Sequence, residues 1–200
     1  MRWTLHWSPT SPYVRKVMAA AHELGLADRF DLLPTRPETV VADVAGRNPL
    51  GRVPALVLPD GTTLFDSLVI AEFLNETAGG ALIPPRGPER WRTLTQHALG
   101  HGVIDAAIAI VAEGRRPEHE RSPGFVAARR AEIDRALDAA ERAPPAPAAD
   151  IGTIALAVAL GYLDFRQPAR DWRPGRPRLA RWYAAFAQRP SMQATKPPAA

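Results

Sequence analysis

Cysteine is missing from this chain of 200 residues. Its absence excludes disulfide frameworks, thiolate metal sites, CxxC redox motifs and a cysteine nucleophile. Any sulfur chemistry must therefore use a thiol that comes from another molecule. Two of the five histidines, His97 and His101, have HxxxH spacing, but no HExxH motif occurs, and the sequence predicts no metal site.

Long hydrophobic runs are scarce as well. The longest, around Ile154 to Leu160, is too short and too rich in alanine and glycine to span a bilayer. The first residues alternate like a strand and lack the regions of a secretory leader. We therefore expect a soluble, cytoplasmic protein with no membrane partner, and its 46% of apolar residues suffices for a sizeable core.

Charge of one sign does not dominate either. The net charge is +4, but the 25 basic and 21 acidic residues are interspersed, and most of the basic residues are arginines near prolines. There is no basic stripe with interleaved aromatic residues, which is the pattern typical of nucleic-acid-binding surfaces. A solvated surface is the better interpretation, and no nucleic-acid partner is expected.

The first half of the chain has the periodicity of an α/β unit. Alternation of apolar and polar residues predicts strands, and apolar residues at helical spacing predict helices. The predicted order is a strand around Trp3 to Trp7, a helix over 12–24, a strand over 30–33, a hairpin of strands 53–58 and 63–65, and a helix over 68–76. This is a β-α-β unit followed by β-β-α.

The second half has no strand signal. Apolar residues at helical spacing predict four helices in this half, over 89–113, 123–142, 150–163 and 177–188. The region from Gly79 to Pro88 is rich in proline and glycine and has no periodicity, so residues 80–87 are the predicted linker. We therefore expect an N-terminal α/β domain over 1–79 and an all-helical domain over 88–200.

Two stretches carry a family resemblance, Asn48 to Leu56 (NPLGRVPAL) and Asp66 to Leu74 (DSLVIAEFL). Together with the segment SPYVR from Ser11 and the apolar helix after Asp150, they closely resemble the soluble glutathione transferases over nearly all of the chain. The resemblance implies a thioredoxin-like N-terminal domain and an all-α C-terminal bundle, in a bacterial member with a tau- or omega-like Ser-Pro-Tyr site. It also implies a homodimer that joins glutathione to a small apolar electrophile without a metal.

By this resemblance, the glutathione site consists of Ser11, Pro12, Tyr13, Arg52, Val53, Pro54, Asp66 and Ser67. Proline before a strand is a candidate for a cis peptide bond, which costs other residues roughly 3 kcal/mol, and in the family this bond is cis. The backbone N–H and C=O of Val53 would then face the ligand, and an extended tripeptide can add itself there by main-chain hydrogen bonds. An isolated Val-Pro could equally be a plain loop proline.

Asp66 and Ser67 stand at the predicted start of a helix, where unpaired N–H groups and the positive end of the dipole favour a carboxylate. Ser67 would hold the α-carboxylate of the γ-glutamyl residue, and Asp66 would hold its ammonium group. The alternative is that Ser67 merely caps the helix.

Ser11, at the predicted N-cap of the first helix, is the residue expected at the thiol. In its Ser-Pro-Tyr setting it resembles the serine that tau-type plant and related bacterial transferases use against the sulfur, where omega-like members carry cysteine. A hydroxyl donor and the helix dipole stabilise a thiolate, which lowers the pKa of a thiol from about 8.5. Thr10 is the competing hydroxyl, because some classes place the catalytic serine two residues before the proline, and helix capping is the alternative role of Ser11.

The candidate wall residues for the second substrate are Trp7, Tyr13, His101 and Asp105, although any of them could equally serve core or interdomain packing. The thiolate would attack an apolar electrophile by addition or by displacement of a leaving group. The expected function is therefore that of a glutathione transferase. The alternatives are a glutathione-binding scaffold with little catalysis and a glutathione-dependent isomerase or peroxidase. Without cysteine, the mixed-disulfide mode of omega-like relatives is disfavoured.

Overall fold

The computed structural model describes residues 2–36, 39–167 and 169–198. It divides the chain into two compact units. The first extends to Arg90 and also includes the residues from Pro190 onward, and the second runs from Trp91 to Arg189. The helical domain was expected to extend to residue 200, but the second unit ends at Arg189. The C-terminal segment that follows packs with the first unit instead.

The described chain contains four strands and eight α-helices. In chain order they are β1 (Trp3–Trp7), α1 (Pro12–Glu23), β2 (Phe30–Pro34), α2 (Val40–Val44), β3 (Ala55–Val57), β4 (Thr63–Leu64), α3 (Ser67–Thr77), α4 (Gly87–Gly114), α5 (Pro123–Arg142), α6 (Ile151–Arg166), α7 (Pro177–Phe186) and α8 (Pro190–Ala194). Every predicted strand and helix is present. The sequence did not predict α8 as a separate helix, because its five residues are too few to repeat an apolar period.

The strands form one mixed sheet in the order β2-β1-β3-β4. β1 runs parallel to β2, whereas β3 runs antiparallel to both of its neighbours. His6 pairs with Ala55, and Leu56 pairs with Leu64. The carboxyl ends of β1 and β4 and the amino end of β3 therefore lie at the same end of the sheet.

The core of the first unit joins the sheet to α1 and α3. Trp3 and Leu5 of β1 pack with Val17 of α1 and with Ile70 and Leu74 of α3. Alternation along a strand and helical spacing along a helix each place the apolar side chains on one face. Burial of each such side chain stabilises the fold by roughly 1.5–3 kcal/mol. The conformation that places all of them on one face is therefore favoured, and the apolar patterns predicted these elements correctly.

The C-terminal segment 190–198 is fastened to α1. Arg15 Nη2 donates a hydrogen bond of 3.2 Å to the carbonyl oxygen of Met192, and Ser191 Oγ donates to the carboxylate of Glu23. The side chain of Met192 is buried. These contacts hold the end of the chain beside the first helix.

In the second unit, α6 is the central helix, and all residues from Ile151 to Leu163 are buried. Asp150 caps it, because its Oδ1 accepts from the Thr153 nitrogen at 2.7 Å while Thr153 Oγ1 accepts from the Asp150 nitrogen at 2.8 Å. Helix α4 approaches α6 so closely that a Cβ atom on Gly100 would lie 2.6 Å from the Leu156 nitrogen. Glycine is therefore required where the two helices meet.

One described helix, α4, is long and apolar enough to cross a membrane, by length and composition only. These two properties do not distinguish a spanning helix from a packed one. In the second unit α4 buries Val103, Ile104 and Ala107 along one face and lies against α6 at Gly100. The contacts of α4 are those of a packed helix.

Replacement of Gly100 by alanine should destabilise the protein, although alanine favours helices over glycine by about 1 kcal/mol. The added methyl group would lie 2.6–2.9 Å from backbone atoms of Ala155 and Leu156, which cannot turn aside as a flexible side chain can. We expect Gly100→Ala to lower the free energy of unfolding by about 1–3 kcal/mol, as measured by urea denaturation.

Gly102→Ala is the matched control, because Gly102 lies in the same helix and its Cβ would meet nothing within 4 Å. This variant should raise the free energy of unfolding by about 0.5–1 kcal/mol. Equal stability of the two variants would contradict the close contact between α4 and α6.

Candidate functional site

Three candidate segments meet at one end of the sheet. Ser11 follows β1, Val53 precedes β3 and Asp66 follows β4, and the strand register brings these strand ends together. Helices α1 and α3 both begin here, so unpaired N–H groups and positive dipole ends are concentrated at this edge. The arrangement suits a ligand that carries a carboxylate and free main-chain groups.

The loop before β3 is held by its own polar contacts. Asn48 is buried, its Nδ2 donates to the carbonyl oxygen of Arg52 at 2.8 Å, and its Oδ1 accepts from the Leu50 nitrogen at 3.0 Å. Gly51 has a φ of +60° and would bring a Cβ to 3.2 Å from Val41. This position favours glycine for both reasons, and the loop therefore reaches β3 with a fixed backbone.

The peptide bond between Val53 and Pro54 is cis, as expected from the sequence. Pro54 is buried and Val53 is half-buried. The peptide bond between Phe65 and Asp66 is also cis, which the sequence did not indicate. Both bonds lie at the end of the sheet where the candidate segments meet.

Asp66, and not Ser67, caps α3. Asp66 Oδ1 accepts from the backbone nitrogens of Leu68 at 2.8 Å and Val69 at 3.4 Å, so the alternative that Ser67 caps the helix is wrong. Ser67 is instead the first helical residue and is 1% exposed, and its Oγ has no hydrogen-bond partner among the residues that the structure describes. A buried polar group without a partner costs about 1–3 kcal/mol, which a ligand atom would relieve.

Ser11 caps α1 through a 3.3 Å hydrogen bond that its Oγ accepts from the Val14 nitrogen. Within the described ranges its hydroxyl hydrogen has no acceptor. Capping uses a lone pair of the oxygen, so the hydrogen stays available for a ligand. Thr10 Oγ1 lies 3.5 Å from Ser8 Oγ, and the two hydroxyls are within reach of each other.

A cavity of about 290 Å³ lies beside Ser11. It is lined by the loop before α1, by one face of α1, by Leu32 of β2 and by residues 194–196 of the C-terminal segment. Trp7, expected in the wall of the second-substrate pocket, lines this cavity, whereas Thr10 does not. The structure thus brings Trp7 and Ser11 together.

The other expected wall residues do not line this cavity. His101 and Asp105 belong to the second unit, where they lie one turn apart on α4 with Nε2 and Oδ1 separated by 3.6 Å. The ring of His101 is 5.4 Å from that of the buried His97. Tyr13 is half-buried on α1 and does not line this cavity. A role for these three residues in substrate binding stays a prediction.

His6 is the titratable group buried in β1, with 6% exposure. Burial lowers its pKa and the positive charge of Arg47 lowers it further, against a smaller opposite effect of Asp43. Because the ordinary pKa is about 6.5, His6 is neutral at pH 7. No group of three or more His, Asp or Glu side chains that could hold a metal occurs in the described part of the chain.

The sequence did not point to Ser8 or to the C-terminal segment. Ser8 is buried and lines the cavity, but in the sequence it is only a polar residue before a proline. Residues 194–196 lie far along the chain from Ser11, and neither periodicity nor a motif links the two. Such a contact is visible only in three dimensions.

Comparison with known proteins gives matches in both halves of the chain. Residues 10–77 match the family described as glutathione S-transferase, N-terminal domain, and residues 123–185 match the family described as glutathione S-transferase, C-terminal domain. The uncharacterized GST-like protein YibF of Escherichia coli (strain K12) is 35% identical over 199 residues, covering 96% of this chain and 98% of that protein.

Two solved structures of a glutathione transferase family member from Pseudomonas fluorescens Pf-5 are also similar. One, with bound glutathione, is 43% identical with a TM-score of 0.94, and the match covers 98% of this chain and 99% of that chain. The other, with bound S-(propanoic acid)-glutathione, is 41% identical with a TM-score of 0.90, and the match covers 98% of this chain and 100% of that chain. These likenesses confirm the expected fold, a thioredoxin-like N-terminal domain followed by a helical domain.

Asp66→Ala should lower the free energy of unfolding by about 1 kcal/mol, because α3 would lose the carboxylate that accepts from its first N–H groups. Asp66→Asn should change it by less than about 0.5 kcal/mol, since asparagine caps helices as well as aspartate does. Urea denaturation of both variants at neutral pH measures the difference. An equal loss in the two variants would show that capping is not what Asp66 contributes to stability.

Proposed function

The chain belongs to the glutathione transferase family, and on that premise we propose that it activates the thiol of glutathione for attack on a small apolar electrophile. The observation that carries the proposal is that Ser11, whose hydroxyl hydrogen is available, lines a cavity along α1. We further propose a cytoplasmic enzyme with a glutathione-binding domain over 1–79, a linker over 80–87 and a helical domain over 88–200.

In this proposal the start of α3 holds the γ-glutamyl end of glutathione. The buried hydroxyl of Ser67 is without a partner in the described chain, and it stands where the helix dipole favours the α-carboxylate. Asp66 caps the helix with Oδ1, which leaves Oδ2 for the α-ammonium group. The relatives from Pseudomonas fluorescens, with glutathione and a glutathione derivative bound, support glutathione as the ligand.

The rest of the tripeptide would contact the loop before β3 and the start of α1. We propose that the backbone of Val53 exchanges hydrogen bonds with the main chain of glutathione, as an added strand does at a sheet edge. The further contacts that we propose come from Pro12, Tyr13, Arg52 and Pro54.

Asp66→Asn should weaken glutathione binding by on the order of 1–3 kcal/mol, because the α-ammonium group loses a charged partner while the helix keeps its cap. Isothermal titration calorimetry with glutathione measures the change. Asp60→Asn is the matched control, since Asp60 also accepts a backbone hydrogen bond, from Thr62 at 2.9 Å, but lies in the hairpin turn. Unchanged affinity in Asp66→Asn would place the glutathione site elsewhere.

Ser11 is the residue that we propose at the thiol, ahead of Thr10. Ser11 lines the cavity, whereas Thr10 lies within reach of the Ser8 hydroxyl. A hydrogen bond from Ser11 and the positive end of α1 would both favour the thiolate, which is the nucleophilic form. Because a serine and not a cysteine stands directly before Pro12, we propose a site of the serine type, as in tau-like transferases.

The proposed chemistry is the formation of one carbon–sulfur bond. The thiol proton passes to solvent, and the thiolate sulfur bonds to an electrophilic carbon of the second substrate. In a displacement, the bond from this carbon to the leaving group breaks and the leaving group takes the electron pair. In an addition, the neighbouring carbon takes a proton from water. The protein contributes by lowering the thiol pKa and by holding both reactants in one place.

Ser11→Ala should raise the pKa of bound glutathione by roughly 1–2 units, because a charge-assisted hydrogen bond contributes about 1.5–3 kcal/mol and each unit corresponds to 1.36 kcal/mol. Turnover at neutral pH should fall, while affinity for glutathione stays nearly unchanged. The ultraviolet absorbance of the bound thiolate against pH measures the pKa directly.

Thr10→Ala is the control, and it should shift the pKa much less. A shift in Thr10→Ala without one in Ser11→Ala would mean that the assignment is wrong by one residue. If the wild-type protein binds glutathione without lowering its pKa, the non-catalytic scaffold becomes the better account. Activity with hydroperoxides or isomerisable substrates, and none with alkylating electrophiles, would favour the isomerase or peroxidase.

We also propose that the protein is a homodimer. Leu50, Val69 and Trp91 are 63%, 47% and 65% exposed. Large apolar side chains with this exposure are of the kind that two-fold interfaces bury.

A further inference from the structure

The ionisable side chains that line the cavity beside Ser11 are all basic. Three basic residues line it, Arg15, His22 and Lys196. The other polar groups in its wall are hydroxyls and the indole of Trp7, and the lining residues within the described ranges include no Asp or Glu. Because the lining side chains supply hydrogen-bond donors and positive charge but no carboxylate, the cavity favours an anionic ligand over a cationic one.

The basic groups come from two parts of the chain that are fastened together. Arg15 and His22 lie two turns apart on the same face of α1. Lys196 follows α8, which Arg15 holds against α1 through the 3.2 Å hydrogen bond to Met192. Lys196 is exposed and forms no ion pair with the residues that the structure describes, so its charge is available to a ligand.

The remaining wall of the cavity is apolar. Met18 and Leu32 line it together with the ring of Trp7, and Leu32 is 43% exposed. The cavity volume of about 290 Å³ is roughly twice the ~150 Å³ that holds benzene, so a single ring with substituents fits. The buried Nε1 of Trp7 has no acceptor within the described chain, and an acceptor atom on a ligand would remove the cost of that lone donor.

We propose that this cavity is the second-substrate site and that its preferred electrophiles are single-ring aromatic carboxylates. The ring lies against Trp7, Met18 and Leu32, and the carboxylate faces the basic groups, above all Lys196. The inference rests on the proposed function, because Ser11, the residue proposed at the thiol, lines the same cavity. It adds the chemical class of the second substrate and the residues that select it.

A matched pair of probes differs only in the anionic group. 4-Chloro-3,5-dinitrobenzoate carries the carboxylate, and 1-chloro-2,6-dinitrobenzene lacks it. With either probe the thiolate sulfur bonds to the ring carbon that carries chlorine, the carbon–chlorine bond breaks and chloride leaves with the electron pair. The thiol proton passes to solvent, and no oxidant or reductant is needed.

The first test measures binding and needs no catalysis. The full-length protein is titrated calorimetrically with 3,5-dinitrobenzoate and with 1,3-dinitrobenzene, which lack the chlorine and do not react. The benzoate should bind about threefold to tenfold more tightly at low salt, and the difference should shrink at 0.5 M NaCl because exposed charges are screened.

Lys196→Gln should remove most of this difference, and His22→Gln should reduce it. Arg181→Gln is the matched control, because it removes the same charge from an exposed position on α7; it should leave the difference intact. Equal affinity of the wild-type protein for the two probes would overturn the inference, as would an undiminished difference in both Lys196→Gln and His22→Gln.

The second test is turnover. The ratio of kcat/KM for the benzoate to that for the neutral probe should fall about threefold to tenfold in Lys196→Gln, with the neutral probe unaffected. A protein that turns over the neutral probe without preferring the carboxylate overturns this inference and leaves the proposed function intact. A protein that binds dinitrobenzoate through Lys196 but activates no thiol overturns the proposed function, while the anion site stands.

Discussion

The register of β3 between β1 and β4 is the constraint on which the site depends. It pairs His6 with Ala55 and Leu56 with Leu64, and so brings the starts of α1 and α3 to one end of the sheet. A slip of one residue would turn every side chain of β3 to the other face. Leu56 is fully buried in the core, so a slip would lose that burial and is strongly opposed. Core packing therefore fixes where the polar site lies.

Helix α1 holds the C-terminal segment in place and shares a cavity with it. Arg15 donates to Met192 and also lines the cavity beside Ser11, so one side chain both fastens the C-terminal segment and contributes charge to the wall. A change within residues 194–196 would alter the cavity without touching the strand ends that carry Val53 and Asp66. The binding of glutathione proposed at Val53 and Asp66 and the selection of the second substrate are thus separable in this fold.

Much of the fold could be predicted from the sequence, because strands and helices with a buried face repeat their apolar residues. The local signals at Val53-Pro54 and Asp66-Ser67 marked two segments that the fold brings to the same end of the sheet. These signals did not indicate whether Asp66 or Ser67 caps α3. Both side chains can accept a hydrogen bond from a backbone N–H group, and the backbone conformation determines which of the two residues is the cap. The hydrogen bond from Arg15 to the carbonyl oxygen of Met192 could not be predicted, since contacts between residues far apart in the chain leave no periodic pattern in one sequence.

The missing cysteine has a consequence for the chemistry that this site can support. Ser11, the residue proposed at the thiol, carries a hydroxyl, and a hydroxyl cannot form a mixed disulfide with glutathione. The sulfur in the proposed reaction therefore belongs to the substrate, and the protein can act on it only through a hydrogen bond, the dipole of α1 and position. A hydrogen bond to the thiolate lowers the thiol pKa and so raises the ionised fraction of the thiol. It also makes the thiolate less nucleophilic, because the nucleophilicity of a thiolate falls as the pKa of its thiol falls. The gain is greatest when that pKa is lowered to about the ambient pH and no further, which is what the single hydroxyl of Ser11 would supply.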